Sequence, residues 1–202
     1  MLPTVEEIAV KEIVTINIEE PLNKAITKMA SSNLRNIVVI ESSLNDADKY
    51  YLLTINDLID YKLNNIKDDV SLKDLHLTKA KVLKKDLNIL NVLNEVDIID
   101  KYMVIVEDDK LIWILSYTDI INNIDPKIFM EKKTIASLIL QYKATIAYEN
   151  TSTIQAIRLM KANKSDSVIM IDDSHKPIGI FTTKDFISLI HKNTNLNSPI
   201  NL

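Results

Sequence analysis

Apolar positions along this chain keep two rhythms that alternate. Leu22, Ala25, Ile26 and Met29 follow the i, i+3, i+4 spacing of one helix face. Ile89, Val92, Leu93 and Val96 repeat it, as do Ile154, Ile157 and Met160. After each comes a short β-branched run, Ile37-Val38-Val39-Ile40, Val104-Ile105-Val106 and Val168-Ile169-Met170-Ile171, which reads as a buried strand. An acidic residue follows (Glu41, Glu107, Asp172), then a polar turn and a second strand. The first of these turns, Glu41 to Tyr51, is longer and rich in Ser, Asn and Asp, as an exposed loop would be. Helix starts agree with the pattern. Glu20-Pro21 puts proline at a first helical position, Asp86 or Asn88 can cap the second helix, and Ser152-x-x-Gln155 has capping-box spacing.

Every second strand ends on the same motif, hydroxyl-x-x-Asp: Thr54 with Asp57, Ser116 with Asp119, Thr182 with Asp185. The aspartates stand 62 and 66 residues apart, which is an internal repeat. Each copy also has a lead-in. Val5-Glu6-Glu7-Ile8 through Val14-Thr15-Ile16 matches Leu72-Lys73-Asp74-Leu75 through Lys81-Val82-Leu83, and again Ile135-Ala136-Ser137-Leu138 through Ala144-Thr145-Ile146. The predicted unit is strand, helix, strand, strand, helix. That makes an α+β chain of three repeats at residues 1–68, 69–128 and 129–202. The last holds the start of a fourth, because another lead-in falls due near Ile200.

A three-stranded sheet with helices on one face cannot bury its other face alone, so repeats should pair. The first two are expected to pack face to face, with Asp125-Pro126 as the crossing to the third. The third has the same apolar faces and no partner left, which predicts a homodimer through it.

Composition narrows the chemistry. A net charge of −4 disfavours non-specific nucleic-acid binding. With no cysteine there are no disulfides or thiolate metal sites, and His76, His175 and His191 form no ligand spacing. No metal site is expected. No apolar run approaches the ~20 residues of a membrane helix, and the acidic start M-L-P-T-V-E-E lacks a signal-peptide n-region, so a cytoplasmic location is expected. No Gly-rich phosphate loop, nucleophile elbow or metalloenzyme spacing marks an enzyme, and no catalytic residue is assigned. Lys79, Lys81, Lys84 and Lys85 read as a solvated face and Trp113 as a core or interface residue. The Ile-, Lys- and Asn-rich composition resembles that of an AT-rich bacterial genome.

Gly179 is the only glycine in 202 residues, where roughly 7% is usual. Glycine so rare points to a close backbone approach that a Cβ would block. It lies in Gly179-Ile180-Phe181-Thr182-Thr183-Lys184-Asp185. This stretch resembles the end of a cystathionine β-synthase (CBS) domain: glycine, two apolar residues, Thr or Ser, then Asp. CBS units pair into tandem modules and usually bind adenosine-type ligands between them. The resemblance implies that the hydroxyl contacts a phosphate and the aspartate takes the ribose diol. The ligand-site candidates are therefore Gly179, Thr182, Lys184 and Asp185, then Thr54 with Asp57 and Ser116 with Asp119. Arg35 and Lys184 are the basic residues for a polyphosphate, and Ile146, Ile169 and Ile180 an apolar slot for adenine. Tyr51 and Trp113 replace the glycine in the first two repeats.

Two functions follow. One is a regulatory module sensing AMP, ADP, ATP or S-adenosylmethionine and controlling an attached effector domain, such as the output domains that follow CBS repeats in bacterial signalling proteins. It requires no cofactor beyond such a ligand. The other is a ligand-free dimerisation scaffold, because Ser/Thr-x-x-Asp at a helix start also serves as a cap.

Overall fold

The computed structural model describes residues 3–42, 49–95, 101–108, 110–123 and 144–200. The first repeat runs α1 (Val5–Ile8), β1 (Thr15–Asn17), α2 (Leu22–Ser31), β2 (Asn36–Ile40), β3 (Tyr50–Thr54) and α3 (Ile55–Leu63). The second has a 3₁₀ turn (Leu72–Asp74), then β4 (Thr78–Lys79), β5 (Lys81–Lys84), α4 (Ile89–Glu95), β6 (Tyr102–Glu107), β7 (Lys110–Ser116) and α5 (Tyr117–Asn123). The third gives β8 (Ile146–Tyr148), α6 (Thr153–Ala162), β9 (Ser167–Ile171), β10 (Pro177–Thr182) and α7 (Thr183–His191). This is the predicted α+β unit three times over. Asp125-Pro126, the third lead-in up to Lys143 and most of the Glu41–Tyr51 turn lie outside the described residues.

Each repeat builds its own sheet: β1-β2-β3 with β4 added at the edge, β5-β6-β7, and β8-β9-β10. The first two strands of a repeat are parallel, as in β1 on β2, β5 on β6 and β8 on β9, which requires the intervening helix as a crossover. The hairpin strand then returns antiparallel. The chain forms two compact bodies, residues 1–20, 37–53 and 71–131 in one, and 21–36, 54–70 and 132–202 in the other.

In the first body the sheets of repeats one and two share a core. Val38, Tyr50 and Leu52 from the first repeat are buried with Val104 from the second, flanked by Val82 and Ile114. The helix side of the second sheet closes over Leu83, Ile89, Val92, Met103, Ile105 and Leu115, and α1 adds Val5 and Ile8 to it. Helix α1 thus belongs to repeat one by sequence and to repeat two by packing.

That exchange is a rule. Residues 3–5 run along the entry to α4: Ile89 N–H donates to the Pro3 carbonyl (3.2 Å) and Val5 N–H to the Leu87 carbonyl (3.0 Å). The second lead-in does the same on repeat one. Leu22 N–H donates to the Val70 carbonyl (2.9 Å), and Leu72 N–H to the Glu20 carbonyl (2.9 Å). Each lead-in then adds extended backbone to the other sheet, Val10 against Ile114 and Thr78 against Leu52.

Helix ends show how the chain manages without glycine. Asn33, Asn65, Lys164 and Asn193, just past α2, α3, α6 and α7, take the left-handed conformation at φ of 52°, 58°, 51° and 52°. Asparagine tolerates that geometry and lysine pays for its Cβ. At the other ends, Pro21 occupies the N-cap of α2, one residue before the expected position, and Asn88 rather than Asp86 caps α4 by accepting from Asn91 N–H at 2.9 Å.

Two outcomes follow. Lys164→Gly should raise stability by about 0.5–1 kcal/mol, since it removes a left-handed Cβ clash, whereas Leu52→Ala should cost about 2–5 kcal/mol. Urea unfolding midpoints measure both.

Candidate functional site

The three Ser/Thr-x-x-Asp motifs adopt one geometry. Thr54 N–H and Oγ1–H both donate to Asp57 Oδ2 at 2.7 Å, and Asp57 N–H returns to Thr54 Oγ1 at 3.4 Å. Ser116 with Asp119 repeats this at 2.8, 2.6 and 3.3 Å, and Thr182 with Asp185 at 2.8, 2.7 and 3.5 Å. These are capping boxes. The hydroxyl has one proton and spends it on the aspartate, so Thr182 cannot donate to a phosphate while the cap is made. The expected hydroxyl–phosphate contact is available only through rearrangement. In this geometry the two capping bonds converge on Oδ2 of each aspartate.

The motifs differ in what surrounds them. At the glycine position, Tyr51 donates to Glu41 Oε2 at 3.0 Å. Trp113 packs on the helix-side core of repeat two, with Lys11 Nζ 5.5 Å from its ring centroid. Gly179 leaves this position empty of side chain. Its φ is not positive, so conformational freedom is not what it supplies. A register shift between Pro177 and Gly179 has a counterpart between Ile105 and Val106 on the β6–β7 hairpin, made without glycine. The bulge therefore does not require Gly179 either, and absence of a side chain is what distinguishes it.

The strand register also corrects the repeat alignment. The carbonyls of Arg35, Lys101 and Asp166 each accept from the residue after a motif hydroxyl, which makes Val38, Val104 and Ile169 equivalent. Thr15, Val82 and Ile146 are their partners. Thr145 is thus level with Val14 and Lys81, one residue away from the match made on sequence. In that place Thr145 is buried and its hydroxyl has no hydrogen-bond partner; among the described residues, only Thr183 shares this. An unpaired buried hydroxyl costs about 1–3 kcal/mol. Both are in repeat three, flanking β9: Ile169 N–H donates to the Thr145 carbonyl, and Thr183 N–H to the Asp166 carbonyl. Sequence reasoning missed Thr145 and Thr183, since burial without a partner has no signature in composition.

Ile146, Ile169 and Ile180 are cross-strand partners and form one row. Their counterparts in the first two repeats include Leu52, Val104 and Ile114, which meet in the shared core. In those repeats the row is the packing face of the sheet, whereas in repeat three Ile146 and Ile180 are 51% and 55% exposed.

Lys184 is separated from Asp185. While Asp185 turns back to the cap, Lys184 lines a cavity of about 330 Å³ between α7 and the end of α2, with Ser188, His191, Ser31 and Asn33. Lys184, Ser188 and His191 are at i, i+4 and i+7 on one helix face, and place an ammonium, a hydroxyl and an imidazole group along this cavity. The Arg35 carbonyl accepts from Ile55 N–H at 2.8 Å. Tyr61, near the first motif, has its phenol pushed up to about 12, by burial first and then by the charges of Asp57 and Asp60. Among the described residues no Asp, Glu or His cluster could hold a metal ion, and no helix is long and apolar enough to cross a membrane.

The family model of the CBS domain matches residues 5–64 and 136–192. The uncharacterized protein MJ1404 of Methanocaldococcus jannaschii is 25% identical over 190 residues, covering 93% of this chain and 44% of that protein. MJ1232 of the same organism is 27% identical over 86 residues, 43% of this chain and 27% of that one. The chain therefore spans less than half the length of these relatives. Among solved structures, MJ1225 of M. jannaschii, described as a candidate archaeal homologue of g-AMPK, superposes with a TM-score of 0.73 at 19% identity. The match covers 98% of this chain and 80% of that one. A hexameric CBS-CP12 protein from bloom-forming cyanobacteria gives 0.55 at 17% identity, covering 81% and 89%. The sequence relatives are archaeal, and the bacterial setting expected from composition is not carried forward.

Thr54→Ala and Ser116→Ala should each lower stability by about 0.5–2 kcal/mol through loss of the cap. Tyr61 gives a pH signature. Its raised pKa contributes stability that is present below pH 10 and lost as pH rises towards 12, so Tyr61→Phe should flatten that alkaline decline. Thermal unfolding across alkaline pH measures it.

Proposed function

Because this chain belongs to the CBS domain family, we propose that it is a regulatory module whose third repeat takes an adenine nucleotide or a related small molecule and thereby controls an attached effector. The observation that carries this reading is the pair of buried, unpaired hydroxyls, Thr145 and Thr183, in the one repeat whose strand offers Gly179 in place of Tyr51 or Trp113. A ligand that reaches these hydroxyls repays a cost the free protein carries. Asp185 is the acceptor for the ribose hydroxyls, and Lys184 supplies positive charge to the phosphate end. The likeness to MJ1225, described as a candidate g-AMPK homologue, supports a nucleotide over other small molecules.

The scaffold reading keeps one observation of its own: all three motifs are satisfied as helix caps without any ligand. Titration calorimetry with AMP, ADP, ATP and S-adenosylmethionine separates the two. Asp185→Ala should weaken binding by roughly 2–4 kcal/mol, the loss of up to two charge-assisted hydrogen bonds, and Gly179→Val should abolish it. Thr145→Val should leave the ligand-free protein as stable or more so, because no hydrogen bond is lost, yet weaken binding at least several-fold. No heat from the wild type with any of these ligands, or equal affinity in all three variants, would leave the scaffold reading standing.

A further inference from the structure

We infer that a cavity at the C-terminal end of α3 is a second ligand site, suited to a small phosphate monoester with an apolar part. It stands independently of the site proposed around Gly179, and its residues all lie within one body of the fold. The cavity measures about 430 Å³. Its walls are Lys62, Lys67 and Asp68 at and beyond the end of α3, Ile154 and Arg158 of α6, and Leu196. That volume falls among those of small-molecule sites, about 300–1,000 Å³.

Three cations and one carboxylate line this space, and they do not cancel. Asp68 is committed to Lys62, whose Nζ donates to its two oxygens at 2.5 and 2.6 Å, the side chains being only 30% and 17% exposed. Lys67 and Arg158 remain, and among the described residues neither has a carboxylate partner. Two uncompensated cations in a chain of net charge −4 suit a dianion. A phosphate monoester carries about −1.5 to −2 at pH 7, more than a carboxylate does. The guanidinium fork of Arg158 matches paired phosphate oxygens, and Lys67 adds a point charge. Ile66, Ile154 and Leu196 offer a wall to the apolar remainder.

Repeats one and three match closely here, which shows that the fold does not need these charges. Asn65 and Asn193 both take the left-handed conformation, at φ of 58° and 52°. Ile66 N–H donates to the Tyr61 carbonyl as Thr194 N–H does to that of Leu189. Asn23 N–H donates to the Asp68 carbonyl as Ile154 N–H does to that of Leu196, both at 2.8 Å. Counted from these bonds, Ile190 and Asn195 stand where Lys62 and Lys67 do, and Thr27 stands where Arg158 does. The same turn and helix thus form without any of the three cations. Arg158 comes from repeat three and Lys67 from repeat one, so a ligand held by both braces the two repeats. It would sit beside the Asp68 and Leu196 backbone that holds the entries of α2 and α6.

Phenyl phosphate is the probe, because it joins a phosphoryl group to an apolar ring and has no adenosine. Titrated into isotope-labelled protein and followed by NMR, it should shift the amides of residues 62–68, 154–158 and 196–197 together and saturably. Inorganic phosphate should bind more weakly. Arg158→Gln should weaken phenyl phosphate about ten-fold or more, and Lys67→Gln several-fold. Both side chains are exposed and unpaired, so Tm should hold in both variants. Lys161→Gln removes a charge of α6 that pairs with Asp60 outside the cavity, and should leave the affinity unchanged. So should Gly179→Val, which tests the other site. Amide shifts that avoid these segments, equal binding of inorganic phosphate, or an affinity unchanged in both Arg158→Gln and Lys67→Gln would each overturn the inference. So would an equal loss in Lys161→Gln, or a loss in Gly179→Val.

Discussion

A sheet of three strands with helices on one side has an apolar second side that water will not tolerate for free, at about 25 cal/mol for each Å² left exposed. The organisation of this chain follows from how each repeat meets that demand. Repeats one and two meet it together: Val38, Tyr50 and Leu52 on one sheet and Val104 on the other are removed from water in one cluster. Exchange of lead-ins then fastens the pair with backbone hydrogen bonds. Neither repeat is complete without the other, since part of the helix-side core of repeat two is Val5 and Ile8 of repeat one.

The same economy limits the site. A hydroxyl and a carboxylate three residues apart make a helix cap, and in all three repeats that is what they do. A cap leaves the hydroxyl without a free proton, so ligand recognition cannot rest on the motif alone. What sets the third repeat apart is negative space and unmet demand: no side chain at Gly179, and two buried hydroxyls, Thr145 and Thr183, that find no partner. The capping hydrogen bonds explain why the motif recurs, and those differences are what the proposed site in the third repeat rests on.

Much of the fold was legible in the sequence. The helix rhythm of Leu22, Ala25, Ile26 and Met29 and the β-branched runs placed their elements because burial on one face imposes a period. Ser152 and Gln155 announced a capping box that forms as written. The lead-in exchange was not legible, because the hydrogen bonds from Val5 to Leu87 and from Leu72 to Glu20 join segments distant in sequence and carry no local pattern. The one-residue slip that set Thr145 against Thr15 has a similar origin. Three-residue strands carry too little alternation to fix register, and the partners Ile169 and Val38 fix it instead. Lys184 was read with Asp185 as one site because they are neighbours in sequence, yet successive residues on a helix point about 100° apart, and only Lys184 reaches the cavity beside α2.

The central claim, that ligand recognition belongs to the third repeat and the other two motifs are structural, has a direct test in hydrogen exchange with and without a millimolar adenine nucleotide. The account predicts added protection at residues 144–148 and 179–185, with residues 51–57 and 113–119 unchanged. Equal protection at all three motifs, or none at any, would contradict it.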